Sequence, residues 1–271
     1  MEGLTTDTQH GFAEVNGTRL SYEVAGAGEP LVLIHGFALD MRMWDDQFAV
    51  FARTHRVVRY DLRGFGTSAL PDGTPYSDAD DLAALLRHLD IADAVVLGLS
   101  AGGAVAIDVA LAYPDMTRAL IPVDAALGGH RWSDAWGAQL RSVRHAGREA
   151  GINVARERWL ALPLFAPACE QPAVAARLQQ MVADYSGWHW VHRDPQTSGD
   201  PPANDRLAEI NVPTLVVIGE RDVPDFHAIS DRLAEQIVGA QTVILPHVGH
   251  MANMEALAAF NERVLDFLMD R

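Results

Sequence analysis

The chain has 271 residues, 49% of them hydrophobic and 21% charged, with 36 acidic against 21 basic side chains and a formal charge of −15. All the basic residues are Arg; Lys is absent, which excludes Schiff bases, Ser–Lys dyads and the phosphate-binding Lys of a P-loop. The acidic excess argues against a nucleic-acid partner, whose backbone calls for clustered positive charge. The single cysteine, Cys169, rules out an intramolecular disulfide and a Cys-based zinc cluster, and reads as a small buried apolar side chain. The opening MEGLTTDTQH has neither the charge nor the apolar run of a leader. The longest stretch without a charged residue or His, Ala94 to Ile107, has 14 residues and is broken by Gly98, Gly102 and Gly103, too short to cross a bilayer. The expectation is a cytoplasmic protein with no membrane association, built as one compact domain with an elaboration or at most as two domains.

In chain order, Phe12–Val15 and Arg19–Val24 alternate around Asn16-Gly17, the strongest short-range hairpin signal, because both turn positions need positive φ. Short apolar runs without alternation then appear at Leu31–Ile34, Arg56–Tyr60, Ala94–Leu97, Ala119–Ile121, Thr214–Ile218 and Thr242–Leu245. Such runs fit strands covered on both faces, as in a parallel sheet. Between them, Ser77–Leu89 carries Leu82, Leu85, Leu86 and Leu89 at helical spacing, with Ser77 as N-cap. Ala101–Ala112, Asp225–Ile237 and Met254–Met269 read as helices too. Strand–helix alternation after an opening hairpin predicts an α/β fold with a mostly parallel sheet.

Residues 126–206 break the alternation. They hold no strand run, contain five of the six Trp, and end in the breaker cluster Ser198-Gly-Asp-Pro-Pro202. This predicts a helical insertion (126–206) in a core formed by 1–125 and 207–271.

The sharpest chemical signal is Gly98-Leu99-Ser100-Ala101-Gly102, between an apolar strand and an apolar helix. A turn tight enough to lift a side chain off the sheet edge leaves room only for small residues two before and two after it. Ser100 is therefore read as a nucleophile, with the Ala101 N–H at a helix N-terminus facing a developing oxyanion. A Ser hydroxyl needs a base and an orienting acid. Of eleven His, only His247 and His250 follow the last strand; His250, on a loop before the final helix, is the expected base. Asp222, in Gly219-Glu220-Arg221-Asp222 after the strand 214–218, is the expected acid, with Asp124 after the strand 119–123 as its rival. Asp225 is read as a helix cap, and Glu220 and Arg221 as exposed loop charges. In Ile34-His35-Gly36-Phe37 the Phe37 N–H is the second expected oxyanion donor, and His35 is assigned a structural hydrogen-bonding role.

These segments, with Tyr60-Asp61-Leu62-Arg63-Gly64-Phe65-Gly66-Thr67-Ser68 and Gly249-His250-Met251-Ala252-Asn253-Met254-Glu255, resemble the α/β-hydrolase superfamily over almost the whole chain. The resemblance implies an eight-stranded sheet with helices on both faces and a helical cap inserted after the sixth strand. It also implies the roles given to Ser100, His250, Asp222, Phe37 and Ala101, and a structural role for Arg63–Ser68. Within the superfamily the chain looks most like small bacterial esterases and 3-oxoadipate enol-lactonase-like enzymes. Ser100 departs from the branches with Asp at the elbow, and Met251 and Met254 stand where C–C bond hydrolases would carry a Trp.

The expected reaction is hydrolysis of a small-molecule carboxylic ester or lactone through an acyl-enzyme on Ser100, with no metal and no cofactor. Alternatives are C–C bond hydrolysis of meta-cleavage-type diketones, cofactor-free haloperoxidase or perhydrolase chemistry, and a ligand-binding receptor on the same fold. Trp132, Trp136, Trp159, Trp188 and Trp190 are candidate pocket residues, together with Phe165 and Tyr185. Arg141, Arg144 and Arg148 share one helical face, read as solvated by default or as an inward carboxylate site. The net charge is uneven: residues 126–206 carry 9 Arg and 8 acids, so the acidity belongs to the core.

Overall fold

The computed structural model describes residues 8–269; residues 1–7, most of the stretch read for a leader, lie outside the described residues. β1 (Gln9–Val15) and β2 (Thr18–Ala25) form the expected hairpin, Val15 opposite Thr18, with Asn16 and Gly17 turning at φ +46° and +69°. β3 (Glu29–Ile34), α1 (Asp45–Phe51), β4 (His55–Tyr60), α2 (Asp78–His88), β5 (Ala94–Leu99), α3 (Ala101–Ala112) and β6 (Thr117–Val123) follow. A purely helical stretch comes next: α4 (Asp134–Glu149), α5 (Ile152–Leu160), α6 (Ala166–Cys169), α7 (Pro172–Asp184) and α8 (Trp188–Val191). β7 (Leu215–Gly219), α9 (Pro224–Gln236), β8 (Gln241–Leu245), α10 (Ala252–Glu255) and α11 (Leu257–Met269) complete the described chain.

The eight strands form one sheet in the order β1-β2-β4-β3-β5-β6-β7-β8. β2 is antiparallel to both its neighbours, and all pairings from β4 through β8 are parallel. All six residues of β5 are buried, as an unalternating central strand requires when both faces are covered. Between β6 and β7 the pairing shrinks to Val123–Val217 and an isolated bridge from Leu120 to Thr214, so the sheet loosens at that seam. The carboxyl ends of β3, β5, β6 and β7 lead into the segments that hold the candidate residues, where open α/β sheets build their sites.

Ser77 caps α2 as expected, accepting a hydrogen bond from the Asp80 N–H at 3.3 Å. Three local expectations need correction. The run ending β8 is not covered on both faces: β8 is an edge strand and Ile244 is 60% exposed. The helix read from Met254 to Met269 is divided at Ala256, which leaves helical geometry at φ −129°, ψ 51°. Asp225 does not cap α9, because the helix begins one residue earlier at Pro224, a proline preorganised for the first turn. No described helix is long and apolar enough to cross a membrane.

Candidate active site

Ser100 sits between β5 and α3 with φ +57° and ψ −115°, a strained backbone for a residue with a Cβ. The flanking glycines are dictated by contact. A Cβ on Gly98 would meet the Gly102 carbonyl at 2.0 Å, and one on Gly102 would meet the Ile34 carbonyl at 2.3 Å. The turn is thus locked against β3 as well as against its own helix. Gly36 brings the β3 loop alongside, where a Cβ would lie 3.5 Å from Ser100 Cβ. Neither the Phe37 N–H nor the Ala101 N–H donates to a protein acceptor among the described residues. Two free donors therefore flank the Ser100 elbow, one of them at a helix N-terminus.

His35 is fully buried; its Nε2 accepts from the Leu62 N–H at 3.0 Å, so its Nδ1 is the donor to the Gly36 carbonyl at 2.8 Å. It holds the His35–Phe37 loop to the Asp61–Ser68 turn, in line with its structural reading. That turn is fastened by Asp61, which accepts from the Met41 and Thr67 N–H groups, and by Arg63, which clamps buried Asp81 through two hydrogen bonds.

His250 Nδ1 lies 2.8 Å from Asp222 Oδ2, with side chains 2% and 0% exposed. Asp222 Oδ1 accepts the Val223 N–H at 2.7 Å, so both of its oxygens are held. The rival acid, Asp124, makes no contact to Nδ1; its Oδ1 accepts the Gly219 N–H at 2.8 Å. His247 is 91% exposed and pairs only with Glu220, while Arg221 pairs with exposed Glu170, as expected of loop charges. Ser100 Oγ forms no hydrogen bond among the described residues, a common state of unliganded sites whose contacts tighten on substrate. The structure therefore brings Asp222 and His250 together, and places Ser100 beside its two free donors. One oxygen each from Asp124 and Asp222 and a nitrogen of His250 lie within 4.8 Å of one another, the geometry that could hold a metal ion.

A cavity of about 260 Å³ opens on the Phe37 and Ala101 donors. One wall is aromatic: the Phe65 ring stacks on His189 at 4.4 Å, and Phe37 meets Phe65, Trp159, Tyr185, His189 and Trp190. Tyr185 Oη lies 2.7 Å from His189 Nδ1, and burial pushes this imidazole down to about 4, so it is neutral at pH 7. Trp132 lines the cavity and Trp136 backs it through Phe226, whose ring lies 4.4 Å from the His250 ring. Trp159 and Trp190 pack behind Phe37, whereas Trp188 stacks on His192, meets His189 edge-on and is not itself among the cavity-lining residues.

Part of the lining is an acidic wall of Asp78, Asp108 and Asp194, the last 3.6 Å from His189 Nε2; the sequence reading missed it because the three come from separate segments. Ala101, Ala104, Val105 and Asp108 form one face of α3, a helical spacing that was available from sequence once the Ala101 donor was placed. Burial raises Asp108 to about 6 and Asp78 to about 8. Among the described residues no Arg lines the cavity, and Arg141, Arg144 and Arg148 are exposed, so the solvated reading of that face holds. Cys169 is also exposed rather than buried, because α6 is a four-residue turn at the surface; partial desolvation and the nearby Glu255 charge raise its thiol above the ordinary value. A larger cleft of about 680 Å³ lies against β1 and β2 and contains neither Ser100 nor the two donors.

This geometry is that of the α/β-hydrolase family, to which the chain belongs: residues 31–263 match the family model for alpha/beta hydrolases. Among its relatives, 3-oxoadipate enol-lactonase 2 of Acinetobacter baylyi is 29% identical over 250 residues, covering 90% of this chain and 91% of the other. The enol-lactonase from Burkholderia xenovorans superposes with a TM-score of 0.78 at 28% identity, covering 96% of this chain and all of its own. A thermophilic esterase from Thermogutta terrifontis also reaches 0.78, at 27% identity and 97% and 98% coverage. The chain is thus a hydrolase of the α/β family whose similar proteins include lactone and ester hydrolases.

Proposed function

We propose that the protein hydrolyses a small carboxylic ester or lactone through an acyl-enzyme on Ser100. The carrying observation is the Asp222–His250 hydrogen bond, sealed from solvent, on the same sheet edge as a strained Ser flanked by two free N–H donors. His250 Nε2 takes the Ser100 proton as Oγ attacks the carbonyl, and Asp222 stabilises the imidazolium. The Phe37 and Ala101 N–H groups receive the oxyanion. His250 returns the proton to the leaving oxygen, and water then repeats the sequence on the acyl group. A lactone keeps its leaving alcohol tethered; an ester releases it.

The helical segment 126–206 acts as a cap in this reading. Its Trp132 lines the substrate cavity, and its Trp159, Tyr185 and Trp190 brace the oxyanion loop through Phe37. The aromatic wall suits an apolar acyl or alcohol group. Turnover of p-nitrophenyl acetate and butyrate beside a panel of lactones tests the reading, with Ser100→Ala as control. Ser100-dependent hydrolysis of either class supports it; turnover that survives Ser100→Ala, or none on any member, overturns it.

A further inference from the structure

Both strand ends that could supply an orienting acid do supply one. Asp124 follows β6 and Asp222 follows β7, and the narrow β6–β7 seam carries both toward one imidazole. Asp124 is fully buried, and its backbone is held at φ +42°, left-handed for a residue with a side chain. That conformation is fixed from both ends. The Asp124 N–H donates to the Val217 carbonyl at 2.9 Å, and Oδ1 accepts from Gly219 at 2.8 Å. Oδ2 is sealed from solvent and has no hydrogen-bond partner. The groups facing it are Asp222, His250 and, from α10, Glu255, whose oxygens accept the Gly249 and Met251 N–H groups. No Arg forms a salt bridge with any of these three carboxyls among the described residues. Two adjacent carboxylates sealed from water cannot both ionise behind one imidazole without a large penalty.

We propose that Asp124 is a positioning residue that carries a proton on Oδ2 and donates it in a hydrogen bond to Asp222, steadying that carboxylate behind His250. Burial, reinforced by the charge on Asp222, drives the Asp124 carboxyl well above the usual range, against the Gly219 hydrogen bond that lowers it. With the added donor, Asp222 is held from Val223, His250 and Asp124, so its carboxylate cannot swing away when the imidazole charges. The proton stays on Asp124 throughout; it takes no part in the transfers between Ser100, His250 and the substrate.

This inference rests on the triad reading, and its test separates the two. Asp124→Asn keeps an acceptor for the Gly219 N–H and a neutral donor toward Asp222, whereas Asp124→Ala removes both. On an ester turned over in a Ser100-dependent way, Asp124→Asn should stay within about threefold of the parent in kcat, and Asp124→Ala should lose about tenfold or more with KM little changed. The acidic limb of the kcat/KM profile should not move in Asp124→Asn. A limb displaced to lower pH would mean that the substitution removed a negative charge, and would overturn the proposal. So would parental kcat per folded molecule in Asp124→Ala, or activity lost to EDTA and restored by zinc, which would make the group a metal site.

A second measurement needs no turnover at all. A carboxyl protonated in the fold ionises on unfolding above about pH 4, so the unfolded chain binds fewer protons and stability falls as pH rises. The Tm of the parent should therefore fall relative to that of Asp124→Asn between about pH 4.5 and about pH 8. A constant difference across that range overturns the proposal even if the esterase reading stands; failure of Ser100-dependent turnover would leave this result intact.

Discussion

Ser133 gives both its backbone N–H and its hydroxyl to the Asp225 carboxylate, each at 2.7 Å, tying the start of α4 to the first turn of α9. His130 stands 3.8 Å away on the same carboxylate. The same Ser133 hydroxyl accepts the Trp136 N–H and caps α4, so one residue both starts the helix and moors it to the core. Asp225→Ala should destabilise the protein by about 1–2 kcal/mol, the cost of two hydrogen bonds to a charged group near the surface. Because the tie sets where Trp132 sits over the cavity, KM should rise several-fold with a smaller change in kcat. Urea unfolding and steady-state kinetics on one ester check both outcomes.

The Asp222–His250 contact makes the next expectation quantitative. Asp222→Asn preserves the shape but offers Nδ1 an amide, which favours the wrong tautomer, so kcat should fall about 10³–10⁴-fold while KM stays near the parental value. Ser100→Ala should lose more, about 10⁶-fold. Burst kinetics with p-nitrophenyl butyrate would show the acyl-enzyme directly in the parent and no burst in Ser100→Ala.

The elbow and the succession of strands and helices along the chain were legible because both are local. Gly98, Ser100 and Gly102 lie within five residues, and the apolar runs carry their own period. His250 and Asp222 were legible through their place after particular strands. What the sequence hid was assembled across distance. The Phe65–His189 stack joins the Asp61 turn to α8, and the acidic wall gathers Asp78, Asp108 and Asp194 from three segments. Composition also misled where accessibility turns on context. Cys169 and Ile244 are apolar by type, but one sits on a surface turn and the other on the last strand of the sheet. The Trp count likewise could not tell Trp132, at the cavity, from Trp188, stacked on His192.

The acidic wall sets a charge preference. With Asp108 about 10 Å along α3 from the Ala101 donor, a substrate carboxylate at that end of the cavity meets like charge. Neutral esters should be turned over in preference to esters of dicarboxylic acids. Asp108→Asn should narrow the gap by up to about tenfold, the effect of one charge about 8 Å away at an effective dielectric of about 30. The same carboxyl, raised to about 6, favours the fold at low pH and loses that advantage between about pH 4 and about 6. Asp108→Asn should therefore gain stability over the parent above about pH 6, by on the order of 1 kcal/mol.

Arg63 and Asp81, 4% and 1% exposed, hold the turn between β4 and α2 through a two-pronged pair. The Arg63 guanidinium also lies 4.3 Å over the Tyr76 ring and donates to the Asn16 carbonyl, which links the hairpin turn to the cavity wall. Asp81→Ala leaves that charge buried without its partner and should cost about 3–5 kcal/mol. Chemical denaturation of the parent and variant measures it.

The φ of +57° at Ser100 sets the interests of the fold and of the reaction against each other at a single residue. Glycine occupies that conformation without penalty, so Ser100→Gly should match or exceed the parent in Tm while being inactive. A population selected only for persistence of the folded chain would drift toward glycine at this site. Under the proposed acyl-enzyme reading, serine there is a record of selection for turnover, written into the backbone as well as into the side chain.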